Sequence, residues 1–198
     1  MMVRPMPTPI GHAMGGLAAA FLTNSFARRP KLTPAVVAAC VAVAVSPDLD
    51  ILAGHHRSYT HSIGATALVG IAGWLVLRRR VPNAAAAASA LTASYGSHLL
   101  LDWLGKDTSR PPGLTIFWPF SSEYFMSGLD LFGEVSRRYW LPNEFIVGNL
   151  AAVGWELGVL LPLLLLAWVV WSKRTLRRPS SIVHRRSSAH RRSSTIDD

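Results

Sequence analysis

The stretch Leu157-Gly158-Val159-Leu160-Leu161-Pro162-Leu163-Leu164-Leu165-Leu166-Ala167-Trp168-Val169-Val170-Trp171 contains no charged side chain and is broken only by Gly158 and Pro162. A run of this kind has no polar face to turn to water, so it reads as a membrane span. Four more apolar runs precede it: Gly11 to Phe26, Thr33 to Val45, Ser62 to Leu77 and Ala84 to Leu104, and the last span begins at about Leu150. In lipid a lone span must satisfy its own backbone, which favours helices. The expected fold is therefore all-α, a polytopic helical membrane protein with about five transmembrane helices. The first three runs are short, since about 15 residues at 1.5 Å rise reach roughly 22 Å, against roughly 30 Å of hydrocarbon. Their polar ends are expected below the membrane surface.

Composition agrees with this reading. Half of the 198 residues are hydrophobic and the formal charge is +9; the mean hydropathy is +0.28. The length is that of one domain. The single cysteine, Cys40, lies inside an apolar run. It excludes an intramolecular disulfide and a Cys-based zinc site, and reads as a small core residue. The N-terminal run is interrupted by His12 and by Thr23-Asn24-Ser25, and reads as the first span rather than as a cleavable signal peptide.

Basic residues set an orientation. Arg28, Arg29 and Lys31 join the first two spans, Arg78, Arg79 and Arg80 the third and fourth, and Lys173, Arg174, Arg177 and Arg178 follow the fifth. All fall on one side if the N-terminus is outside and the C-terminus is cytoplasmic. Residues 1–172 then form a membrane domain and 173–198 a disordered basic cytoplasmic tail, in which His184-Arg185-Arg186-Ser187-Ser188 recurs as His190-Arg191-Arg192-Ser193-Ser194. Its arginines suit anionic lipid headgroups, and without stacking aromatics no nucleic acid is expected. Nothing in the chain points to a protein partner.

Between the second and third spans stand Ser46-Pro47-Asp48-Leu49-Asp50 and His55-His56-Arg57-Ser58-Tyr59-Thr60-His61-Ser62. Helix capping accounts for one or two of these residues. Carboxylates and imidazoles together are also the usual ligands of zinc and of harder divalent ions. The topology brings more of them to the same outer face: His12 begins the first span, Asp48 and Asp50 end the second, His61 begins the third, and His98 and Asp102 lie near the outer end of the fourth. His98 and Asp102 are i and i+4 on one helical stripe, so both can face one ion, or Asp102 can simply orient His98. Glu156 is an acid inside a span, with ligand, general base and buried protonated acid all open. Gly113 to Phe120 is apolar, aromatic and too short to span; it suits a lid over the site or an aromatic belt.

Taken jointly, Gly11-His12, Pro47-Asp48-Leu49-Asp50, His56 to Ser62, Gly96-Ser97-His98-Leu99-Leu100-Leu101-Asp102 and Trp118-Pro119-Phe120 are similar to the YdjM-type bacterial membrane-bound metal-dependent hydrolases. The motifs run in that family's order from His12 to Phe120; the fifth span and the tail match in character only. The resemblance implies a multi-pass protein of the bacterial inner membrane, with metal ligands at His12, Asp48, Asp50, His61, His98 and Asp102 and further matching polar positions at His56 and Arg57. His55 is an extra histidine without a role.

The function expected is metal-dependent hydrolysis of a lipid-like phosphoester or ester, using one or two divalent ions, zinc first and manganese or magnesium as alternatives. Arg57, His56 and Glu156 are the candidate catalytic residues, with Arg57 suited to an anionic group such as a phosphate. The rival reading is a non-enzymatic metal-ion or proton carrier. A structural protein stapled by one metal is a third.

Overall fold

The computed structural model describes residues 7–53, 57–107, 111–133, 135, 136 and 139–176, apart from the side chain of Glu144. Within them the chain is helical, with two isolated bridges, Gly105 to Phe132 and Leu114 to Phe125, and no extended strand. His55, His56 and tail residues 177–198 lie outside the described residues.

Helices α1 (Pro9–Ser25) and α2 (Pro34–Val45) start in the same way. Thr8 and Thr33 are their caps, accepting from the backbone N–H of Gly11 and of Val36, and a proline follows each at the first helical position, where no N–H is needed. Beyond α2, Pro47 cannot continue the backbone ladder, and the chain tightens into a 3-10 helix over Ser46–Ala53. Helix α3 (Ile63–Leu77) is capped by the Ser62 hydroxyl on Ala65 N–H. Helices α4 (Ala84–Leu104) and α5 (Pro142–Leu176) complete the bundle.

α1 is the central helix. α2, α4 and α5 pack around it, α2 also rests on α4, and α3 covers the far side of α4. Small residues make this close: a Cβ on Gly16 would stand 2.4 Å from the Cβ of Ala44. Without a side chain at Gly16, the backbones of α1 and α2 approach directly, the usual device where helices meet in lipid. At the opposite end Ala20, Leu32, Val36, Cys40, Ala87 and Leu91 form the apolar core.

Among the described residues, two stretches, 34–52 and 145–176, are long and apolar enough to cross a membrane, and Ile63–Leu77 is a shorter apolar helix. α1 and α4 instead turn many residues inward. α5 is longer than its apolar run: it starts at Pro142, so Glu156 lies 14 residues inside it, and it continues through Lys173 and Arg174 to Leu176. The loop after α4 is tied down. Ile63 N–H donates to Ile116 O at 2.8 Å and Gly64 N–H to Trp118 O at 3.1 Å, which fixes the aromatic segment against the start of α3.

Candidate metal centre

Each element delivers its polar side chain to one point. The buried stripe of α4, which includes Leu91, Ser94, Tyr95, His98 and Asp102, faces α1 and α2. His12 sits one turn into α1, Asp48 opens the 3-10 helix, and His61 immediately precedes the Ser62 cap. His12, His61 and His98 are fully buried and Asp102 is 2% exposed. Asp48 is the most open of the set, its side chain 11% accessible.

The ring nitrogens are oriented. Nδ1 of His98 lies 2.7 Å from the carbonyl of Ala44. A carbonyl can only accept, so Nδ1 carries the proton and Nε2 presents a lone pair inward. On the other side Nδ1 of His61 faces Asp50 Oδ2 at 3.2 Å, which likewise turns its Nε2 to the centre. The two Nε2 atoms stand 3.1 Å apart. Two facing lone pairs at that distance repel unless a cation or a shared proton lies between them.

Carboxylates complete the shell. Asp102 Oδ2 is 3.4 Å from both His61 Nε2 and His98 Nε2. Asp48 Oδ1 is 3.6 Å from the same two atoms. One ligand atom each from Asp48, His61, His98 and Asp102 falls within 4.8 Å of the others. Among the described residues, Asp48 Oδ1, both Asp102 oxygens and both His12 ring nitrogens have no hydrogen-bond partner. Buried polar atoms of this kind are costly unless something satisfies them. Donors about 2.0–2.1 Å from one ion sit about 3.0–3.4 Å from one another; the 3.1 Å and 3.4 Å separations among His61, His98 and Asp102 fall in that range, and Asp48 stands slightly beyond it at 3.6 Å. The donor set fits a divalent cation on chemistry and on spacing.

Of the six expected ligands, four form this group and two stand differently. His12 stacks on His98 with ring centroids 3.7 Å apart, its Nε2 3.3 Å from Asp102 Oδ1 and 3.9 Å from Asp48 Oδ2. It is the fifth inward donor. Asp50 is behind the centre: its Oδ2 meets His61 Nδ1, the Thr60 hydroxyl at 2.8 Å and Arg57 N–H at 3.0 Å. It orients His61, as carboxylates behind metal-bound histidines commonly do.

Of the three expected catalytic residues, neither Arg57 nor Glu156 is among these inward donors. His56 lies outside the described residues. Arg57 is buried, its guanidinium paired with Asp107. Glu156 reaches from α5 to the start of α1, where it accepts from Thr8 N–H at 2.7 Å and from the Thr8 hydroxyl. A Cβ on Gly11 would stand 2.5 Å from its carboxylate, so the glycine makes room for it. Glu156 therefore anchors the positive end of the helix that carries His12. Asp107 and the Ala44 carbonyl were not singled out in the sequence.

No curated protein and no solved structure matches the chain. Residues 6–176 match the family model described as YdjM inner membrane protein, with every residue of the centre inside the matched span. The chain belongs to the YdjM inner membrane protein family.

Proposed function

We propose that the protein is a membrane-embedded, metal-dependent hydrolase acting on a lipid-like phosphoester or ester. The observation that carries the reading is the convergence of Asp48, His61, His98 and Asp102, from three parts of the chain, on one point with their acceptor atoms turned inward. A divalent ion held there, zinc first and manganese or magnesium as alternatives, would supply a Lewis acid and an activated water. The residues supply the rest. His61 and His98 are held in register by Asp50 and by the Ala44 carbonyl, Asp102 is shared between them, and His12 adds a further nitrogen. Five inward donors exceed the three protein ligands usual for a catalytic zinc, which leaves room for a second ion or for a base among them. Asp48, the most accessible member, marks the approach to the site.

All five helices span the inner membrane in this reading, with the N-terminus outside and the C-terminus cytoplasmic. On that orientation, the shortness of α1 to α3 argues for a centre within the outer leaflet. A substrate with an acyl or isoprenoid chain can reach it sideways from the lipid, which a soluble one cannot.

The carrier reading has less support. A transport path needs ionisable groups along its length. At the far end of the bundle the buried polar side chains are Asn24 and Ser25; Asn24 Oδ1 accepts from the Trp171 indole and Ser25 O from Arg174. Among the described residues no acid or imidazole stands at that end.

The test is hydrolysis by purified, ion-loaded protein of a long-chain phosphoester and of its water-soluble short-chain analogue. Higher kcat/KM for the long chain, lost in His98→Ala, is expected. Equal efficiency on the soluble analogue would refute lateral access, and no turnover of either would favour the carrier.

A further inference from the structure

We infer that Asp107 is a positioning residue for the metal centre, acting through Arg57 and Asp50 on the ring of His61. The inference rests on the metal reading above and adds to it a residue outside the donor set.

Asp107 follows α4 by three positions, five beyond Asp102. Its carboxylate is buried; it pairs with the guanidinium of Arg57 and accepts from Gly113 N–H at 2.6 Å. A buried carboxylate and a buried guanidinium are tolerated only together, so each fixes the other. Arg57 is also held in a backbone conformation that side-chain-bearing residues avoid, with φ of 62°. Such a conformation persists where the surroundings enforce it. Here Thr115 N–H donates to Arg57 O at 3.4 Å and the Thr115 hydroxyl to Ser58 O at 2.8 Å.

In this pose the two ends of Arg57 do different things. Its side chain reaches Asp107, and its backbone N–H donates to Asp50 Oδ2. The same Asp50 oxygen faces His61 Nδ1, and the opposite nitrogen of that ring is an inward donor of the centre. An unbroken series of polar contacts therefore runs from the loop after α4, through Asp107, Arg57 and Asp50, to His61. α4 holds the polar connector at two levels: through His98 and Asp102 at the centre, and through Asp107 behind it. The guanidinium expected from the sequence to meet a substrate anion is paired here with Asp107.

Cobalt(II) titration of the detergent-purified full chain tests the inference, with visible absorption reporting ligand geometry and a competing chelator giving affinity. Asp50→Asn should weaken binding about 10–100-fold, the usual effect of removing an outer-shell partner. Asp107→Asn should weaken it about tenfold and alter the absorption bands, with helicity and monodispersity unchanged. The double variant should bind no more weakly than Asp50→Asn alone, because both act along one series. If Asp107→Asn does not fold, the paired replacement Arg57→Met with Asp107→Leu removes both charges together and should give the same loss. Unchanged affinity and spectrum in the Asp107 variants, or losses that multiply in the double variant, would overturn the inference while leaving the metal reading intact. No cobalt binding by the unmodified chain would overturn both.

Discussion

Asp48 and Asp50 are two positions apart and do different work. Asp48 turns an oxygen toward His61 and His98, whereas Asp50 faces the back of His61 and the backbone of Arg57. The difference predicts unequal effects. Asp48→Ala should remove a ligand and abolish tight binding of a divalent ion, while Asp50→Asn should leave an ion bound about 10–100-fold more weakly; equilibrium dialysis against a metal buffer separates the two outcomes. Both carboxylates and all three imidazoles of the centre were legible in the sequence as ligand types on one face. The division between inward and outward members was not, because it depends on a 3-10 turn after Pro47 that no periodicity announces. Glu156 shows the same limit. An acid within an apolar run signals a buried partner, but the partner is the N–H and hydroxyl of Thr8, 148 positions away. Glu156→Ala should cost about 1–3 kcal/mol by leaving a buried donor unsatisfied, read as a lower thermal midpoint with the ion-binding stoichiometry retained.

Among the elements, α1 and α4 matter most, since between them they carry three of the five inward donors. Their composition, rich in glycine, alanine and serine, makes them poor spans by hydropathy and good neighbours by size. That is why neither α1 nor α4 joins 34–52 and 145–176 as membrane-crossing on length and apolarity among the described residues. Gly16 is where this trade is sharpest. Gly16→Val would drive side-chain atoms into Ala44, whose carbonyl holds His98. Overpacking of this kind costs about 1–3 kcal/mol. The variant should both melt at lower temperature and bind a divalent ion more weakly; a loss of stability with unchanged affinity would separate the α1–α2 contact from the centre. Helix positions were readable from apolar runs to within a few residues for α1 to α4. α5 was not, because its first turns, from Pro142 to Asn149, are mixed in polarity and helical all the same.

At the scale of the whole molecule, every described acid and histidine lies toward one end of the bundle, and the basic connectors Arg28 to Lys31 and Arg78 to Arg80 lie at the other. The distribution predicts the topology. In a Cys40→Ser background, single cysteines at Ser121 and Ser188 should label from outside intact cells only at Ser121; the reverse pattern would invert the orientation. Topology and substrate both matter less to the proposed chemistry than a divalent cation held by Asp48, His61, His98 and Asp102, a group whose ligand atoms could hold one. The most direct measurement is the metal content per chain of detergent-purified protein, compared with that of His98→Ala and Asp102→Ala preparations of matched helicity and monodispersity. At least one tightly held divalent ion per chain in the unmodified protein, lost in both variants, is the predicted result; an ion-free protein, or equal content in all three, would contradict it.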